Sequence, residues 1–399
     1  MTARAIVVIG AHFGDEGKGL ATDYFCAAAG EQAVAVRFSG GAQAGHTVVT
    51  PAGQRHVFHH IGAGTLAGAA TFLSRFFIVN PLLWADERAV FPAARVIVDP
   101  DAAVTTPYDM LINQELEAWR GSARHGSCGL GINETIERDS RTDHRLRVRD
   151  LSDAGELAQR LDAIRMDYVP SRLQEQGCEP SRWLVEMLTS SSLKSSFARH
   201  AADFIASVEI DDVDCLRRFS AIVFEGSQGL GLDEHYGRFP HVTRGRTGAI
   251  RAVALASAVG ITDPELVYVS RAYVTRHGAG PFPNEESSLR YHDDTNVTNQ
   301  YQGPLRFAPL DIDSTISAVT LDVSETRRTV GRDFVISAMV TCMDQIAQGG
   351  RYRFQGNWHT DADALPVRVG AAGPFARVYQ SSGRTRHHVK TVERSSFTK

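Results

Sequence analysis

The 399-residue sequence has no long apolar run: nothing in it approaches the ~20 residues that a membrane-spanning helix needs. Its opening is apolar for only five residues, 5–9, before a glycine-rich turn, short of the roughly 7 to 15 of a signal-peptide core. A protein that is neither secreted nor membrane-inserted, in the cytoplasm, is the expectation. Cysteine is scarce and odd in number, five widely spaced residues without a CxxC pair, which excludes a disulfide framework and a zinc ribbon. Blocks of Lys or Arg are missing too. With 42 basic against 46 acidic side chains, a net charge of −4 and a pI near 6.4, affinity for nucleic acid built on phosphate neutralisation is disfavoured, whereas small anionic ligands are not. Internal repeats and low-complexity segments are absent as well.

What is present is an ordinary globular composition, 43% apolar and 22% charged, in a chain long enough for one large α/β domain with insertions. Strand-like apolar runs recur at 5–9, 33–38, 76–79, 95–98, 221–224, 266–274 and 334–341, with helical stretches between them. Their hydrophobicity is continuous, not alternating, as in strands covered on both faces. A mostly parallel central sheet flanked by helices follows. Residues 151–216, rich in Leu, Ala, Arg and Glu and almost free of Gly, read as a helical insertion within a single domain spanning 1–399.

Four glycine-bearing segments follow strand-like runs. The first, Gly14-Asp15-Glu16-Gly17-Lys18-Gly19, precedes a helix whose free amides would cradle an anion, with Lys18 as a point charge on phosphate. It departs from the GxxxxGK[ST] phosphate loop at His12 and Gly19. The second is Gly40-Gly41-Ala42-Gln43-Ala44-Gly45-His46-Thr47, in which His46 titrates near neutrality but, taken alone, is as readily a structural histidine. The third is Phe224-Glu225-Gly226-Ser227-Gln228-Gly229, running on to Thr243; the fourth is Thr275-Arg276-His277-Gly278-Ala279-Gly280-Pro281-Phe282-Pro283. Ligands of open α/β sheets bind at the carboxyl ends of strands, so four such loops on one edge would make one composite site.

In this order the segments resemble adenylosuccinate synthetases, which join inosine monophosphate (IMP) to aspartate at the expense of GTP. The resemblance runs from about Ile6 to Arg386 and implies that family's fold, related to P-loop NTPases, and its dimeric assembly. It implies Asp15 as the base that takes the purine N1 proton, His46 as the acid beside the transferred phosphoryl group, and Lys18 as its counter-charge. Mg²⁺ would be held by the Asp15 carboxylate and the Gly45 carbonyl. Gly14, Glu16, Gly17 and Gly19 would belong to the nucleotide loop. Gln43, Gln228 and Thr243 would hold the purine nucleotide, and Ser127 with Cys128 would stand for two hydroxyl residues that contact nucleotide phosphate and amino acid. Asp322, in Val319-Thr320-Leu321-Asp322, would accept from guanine, with Ser381 and Gly383 cradling the base. Arg138, Arg141 and Arg145 are candidates for an arginine that crosses the dimer.

The largest departure lies where the family carries an arginine cluster for the aspartate carboxylates. Here Tyr301-Gln302-Gly303-Pro304-Leu305-Arg306-Phe307-Ala308 keeps Arg306 alone, unless Arg271 or Arg276 substitutes. The leading expectation is a ligase forming N6-(1,2-dicarboxyethyl)-AMP from IMP, aspartate and GTP. The alternative is a paralogue that uses dGMP or another purine nucleotide, an ATP-type donor or a different amine. A third reading, a nucleotide-binding regulator without catalysis, is disfavoured by the retention of Asp15, Lys18, His46 and Gln228.

Overall fold

The computed structural model describes residues 3–123, 126–293, 304–347 and 349–393. Ten strands form its central sheet: β1 (Arg4–Gly10), β2 (Ala33–Arg37), β3 (Ala70–Leu73), β4 (Val96–Val98), β5 (Glu209–Ile210), β6 (Ala221–Gly229), β7 (Glu265–Arg271), β8 (Val335–Thr341), β9 (Arg377–Ser381) and β10 (Val389–Val392). Their spatial order is β10-β9-β8-β7-β1-β6-β2-β3-β4-β5. All neighbours are parallel except β9 and β10, which pair antiparallel at one edge.

The expected mostly parallel sheet is therefore present, and the continuous hydrophobicity has a direct cause. In β1, Ala5, Val7 and Ile9 point into one core, shared with Ile222 and Phe224 of β6 and Leu266 and Tyr268 of β7. Ile6 and Val8 point into the other, with Val223, Val267 and the helix α1 (Lys18–Ala27). Both faces of the pleat are covered, so both parities are apolar.

The helices Ala154–Ala163, Val169–Glu175, Arg182–Thr189 and Ser191–Ala206 occupy the stretch expected to be helical. Their apolar residues Leu161, Leu173, Phe197 and Phe204 join Phe58, Leu73 and Val98 in a third buried cluster. The helical region thus shares its core with the flank of the sheet.

Three local readings need correction. The run 266–274 is two strands: β7 ends at Arg271, and Tyr273–Arg276 turns away to pair antiparallel with Arg306–Asp311. Of 76–79 only Ile78–Val79 is extended, and it pairs with Ala103–Val104 outside the main sheet. β3 is short and built on Ala-Thr-Phe-Leu, and β5 is two residues inside the stretch read as helical, so neither has a hydrophobic pattern long enough to read.

Candidate active site

The strand order reverses beside β1: the chain leaves β1 for β2, and β6 later inserts between them. The carboxyl ends of β1, β6 and β7 therefore meet at a topological switch point. The loop after β1 enters α1 through Gly17, whose φ of 100° is left-handed and favours glycine. No side chain caps that N-terminus, leaving amides for an anion. A Cβ on Gly19 would stand 2.7 Å from the Thr47 carbonyl oxygen. The hydroxyl residue of an ordinary phosphate loop is thus sterically excluded there.

The two acids of the loop part company. Glu16 turns inward: its Oε1 accepts from the backbone N–H of Gly14 at 2.8 Å and of His12 at 3.2 Å, and Oε2 receives Lys18 Nζ at 2.5 Å. Burial works against its charge, but the Lys18 ammonium and these donors hold its carboxyl below the usual range. Its carboxylate shapes the loop, and the residue lines the cleft beside Gly14 and Gly17. Asp15 points the other way. It lies in the left-handed region at φ 62°, lines the cleft, and has His277 Nε2 at 3.4 Å from its Oδ2.

His46 opens the hairpin His46–Val49/Arg55–Phe58 and is 4% exposed. Its Nδ1 is hydrogen-bonded to Glu225 of β6, while Arg37 of β2 lies 3.8 Å from the same carboxylate. The bond sets Nδ1 as the protonated nitrogen beside the carboxylate. Nε2 is buried without a partner among the described residues. Burial and the Arg37 guanidinium push the imidazole below its ordinary value, against the pull of Glu225, so the ring is neutral near pH 7.

Asp15, Lys18, Gly14, Gly17, Gly19, Gln43, Gly45, His46, Ser127, Cys128, Gln228 and Thr243 all line one cleft of about 630 Å³, together with Arg271 and Arg276. Ser127 Oγ accepts from Asn113 Nδ2 at 2.8 Å, and burial pushes the Cys128 thiol up, so it is present as a thiol. The structure brings these sequence-selected residues together. It does not bring in the following ones.

Asp322 is fully buried in the middle of the helix Ile312–Val330, where its oxygens accept from Ala249 N–H at 3.0 Å and Tyr268 Oη at 2.7 Å, outside the cleft lining. A Thr-x-x-Asp, which Val319-Thr320-Leu321-Asp322 does not form, stands instead at Thr341-Cys342-Met343-Asp344, beginning at the last residue of β8. There Thr341 Oγ1 donates to the Glu16 carbonyl at 2.7 Å and Asp344 is exposed. Ser381 ends β9 with its hydroxyl donated to the Gly383 carbonyl, outside the cleft lining. Arg306 gives Nε and Nη2 to Glu285 and Nη1 to the carbonyls of Gly278 and Gly280. It braces that loop, and its fork is not free for a substrate carboxylate. Residues 301–303 of the same segment lie outside the described residues. Arg138 is wholly buried on Asp109, and Arg141 pairs with Glu175 at 2.7 Å; neither is free to reach across a dimer.

Sequence reasoning passed over Glu225, His277 and Asp344. A carboxylate directly after the apolar run 221–224 and before a glycine was the available signal for Glu225. For Mg²⁺, the Asp15 carboxylate and Gly45 main chain offer hard oxygens on the same cleft, which suits the ion. Among the described residues no group of three or more His, Cys, Asp or Glu is clustered for a metal. Substrate phosphate oxygens would have to supply the rest of the shell.

The family model described as adenylosuccinate synthetase matches residues 7–306. The adenylosuccinate synthetase of Mycolicibacterium smegmatis is 33% identical over 292 residues, 70% of this chain and 65% of that protein, and that of Saccharopolyspora erythraea is 35% identical over the same shares. The chain thus matches somewhat less than two thirds of the length of these relatives. Two solved structures share the fold across the whole chain. A fully ligated adenylosuccinate synthetase from Plasmodium falciparum has a TM-score of 0.72 at 17% identity, covering 98% of this chain and 100% of that one. The succinoaminodeoxyadenylate synthetase of cyanophage S-2L, bound to dGMP and dATP, has a TM-score of 0.64 at 16% identity, covering 100% and 98%. With three quarters of its length under the family model and the glycine loops converging on one cleft, the chain belongs to the adenylosuccinate synthetase family.

Proposed function

We propose that the protein is a purine-nucleotide C–N ligase that phosphorylates the 6-oxo group of a nucleoside monophosphate and then lets an amine displace the phosphate. The observation that carries this reading is the placement of Asp15 and His46, from two neighbouring loops, on one cleft of about 630 Å³. A purine 6-oxo group is a poor leaving group. Asp15 removes the N1 proton, O6 attacks the γ-phosphorus, and the bond to the bridging oxygen breaks to release nucleoside diphosphate. The amine then attacks C6, the O6–phosphate leaves, and the nitrogen loses a proton.

Each step builds negative charge. Lys18 and the uncapped amides of α1 face the phosphoryl oxygens. His46 receives a proton at Nε2 when the phosphate dianion arrives, since a neighbouring negative charge favours the imidazolium, and donates it as a hydrogen bond. Mg²⁺ held at Asp15 and Gly45 would supply charge neutralisation at the transferred group. Gln228, whose amide oxygen approaches Gly14, and Thr243 would hold the nucleotide. Asp344, with Ser381 and Gly383 on the next strand end, would flank the donor base.

IMP, GTP and aspartate are the leading substrates, and a homodimer the leading assembly. A second reading, the same chemistry with a different amine, is favoured by one observation: the lone arginine of the amino-acid segment is occupied by Glu285. The phage relative of this fold, bound to dGMP and dATP, supports keeping the nucleotide pair open as well. Phosphate release measured over IMP or dGMP, GTP or ATP, and aspartate or other amines separates these readings. Turnover requiring IMP, GTP and aspartate supports the first, turnover with another set selects the second, and none with any set removes the ligase reading.

A further inference from the structure

Among the described residues Asp15 has one ion-pair contact, His277, whose Nε2 lies 3.4 Å from Oδ2. Both residues line the cleft and both side chains are partly exposed to it, yet the proposed reaction gives His277 no task. An ionised carboxylate can only accept, so a hydrogen bond between the two is donated by the imidazole from Nε2. The other ring nitrogen, Nδ1, is buried with no partner among the described residues and makes no rival claim on the tautomer. At 3.4 Å the contact is long for a hydrogen bond, as catalytic pairs often are before substrate arrives.

The stretch from Arg271 to His277 touches the loop after β1 at three points. Arg271 Nε donates to the Asp15 carbonyl, Thr275 Oγ1 to the Gly14 carbonyl at 3.5 Å, and His277 reaches the Asp15 side chain. Beyond His277 the turn is held by two guanidinium groups. Arg276 donates to the carbonyls of Ala279 at 3.0 Å and Pro281 at 3.1 Å, and Arg306 to those of Gly278 and Gly280, both at 3.0 Å. The imidazole therefore stands on a braced turn. Asp15 stands on a left-handed residue directly after Gly14, and a part-exposed carboxylate there changes rotamer freely unless a neighbour holds it.

We propose that His277 is a positioning residue for Asp15: its Nε2–H holds Oδ2, fixes the plane of the carboxylate and so aims the remaining lone pairs at the purine N1 proton. This role rests on the proposed function, in which Asp15 is the base. The bond occupies one of about four acceptor sites on the carboxylate, which leaves sites for the N1 proton and for Mg²⁺. Orientation of a catalytic group lowers the barrier without adding affinity for the ground state. Its effect therefore falls on kcat, whereas a residue that only shaped the turn would move the KM of every substrate bordering it.

The test is a double-mutant cycle on phosphate release by the full chain, with wild type, His277→Val, His277→Gln, Asp15→Asn and the double variant His277→Val with Asp15→Asn. His277→Val is expected to lower kcat by about tenfold or more, the worth of a hydrogen bond to a charged group, with nucleotide KM nearly unchanged. His277→Gln keeps an N–H donor and is expected to recover most of the loss. In the Asp15→Asn background the His277→Val change should cost nothing further, because residues that act as a pair are not additive. Unchanged kcat in His277→Val overturns the proposal, as does an undiminished cost in the Asp15→Asn background. Nitrogen NMR of the His277 ring in the wild type, assigned by the signals that His277→Gln lacks, reads the pair without turnover: a protonated Nε2 supports the bond and a bare Nε2 overturns it. If the wild type released no phosphate with any substrate set, the ligase reading would fall, and the state of Nε2 would still decide whether His277 holds Asp15.

Discussion

Glu225, midway along the central strand β6, is hydrogen-bonded to Nδ1 of His46, a cleft-lining residue whose Nε2 has no partner among the described residues. The carboxylate fixes the tautomer and stabilises the charged ring once phosphate arrives. Glu225→Gln keeps the shape and removes the charge. It is expected to lower kcat by about a hundredfold or more, within the range of positioned acid–base groups, while KM for the nucleotides moves little. The same carboxylate accepts from Ala63 N–H at 3.1 Å, so the folding midpoint must be measured beside the kinetics. A variant that folds and turns over normally removes His46 from the mechanism.

Asp15 offers a cleaner test because its side chain is a quarter exposed and, among the described residues, its one ion-pair contact is His277. Its left-handed backbone makes Asp15→Asn the right substitution, since Asn tolerates that region and Ala does not. Phosphoryl transfer is expected to fall by about 10² to 10⁴ with the thermal midpoint unchanged. Near-normal phosphate release would dispose of the proposed base.

Arg306 braces the Gly278–Gly280 turn through two carbonyls and Glu285. Arg306→Ala is therefore expected to raise the KM of both nucleotides and of the amine by similar factors, because the turn borders the whole cleft. Steady-state kinetics with each substrate varied in turn decides it. An effect confined to the amine would return Arg306 to the role of carboxylate grip.

How far the sequence reached can be seen at these residues. The loops around Asp15 and His46 were legible because glycine after a strand leaves few structural options. Asp344 was legible and passed over: Thr341-Cys342-Met343-Asp344 is a Thr-x-x-Asp that begins at the last residue of β8, whereas Asp322 has Val319 at the matching position and lies inside the helix Ile312–Val330. Asp15 and His277 come from segments far apart in the chain, so no local pattern could have paired them.

Asp344 carries a selectivity prediction of its own. In the proposed reading this exposed carboxylate, just past β8, would accept from the N1 and N2 donors of guanine, with no equivalent use for adenine. Asp344→Asn is expected to raise KM for GTP by about tenfold or more, the worth of a charge-assisted hydrogen bond, and to leave ATP unchanged. Parallel saturation curves with the two donors check it; equal shifts would remove Asp344 from base recognition.

Asp322 has its effect on stability. Burial raises its carboxyl from 3.8 to about 6, although Tyr268 and the Ala249 amide favour the anion. A raised carboxyl means that the native state holds a proton which the unfolded chain gives up, so this contribution is complete below about pH 4 and is lost as pH rises to about 6. Two units of displacement correspond to about 3 kcal/mol. Asp322→Asn cannot lose that proton. Urea denaturation at intervals from pH 4 to 7 should show wild type losing stability relative to the variant by up to about 3 kcal/mol, with no further divergence above pH 7. Carboxyls held low by partners, such as Glu16 and Glu225, act in the opposite direction in both proteins and cancel in the difference. A constant gap across the range would mean that Asp322 is ionised in the native core throughout.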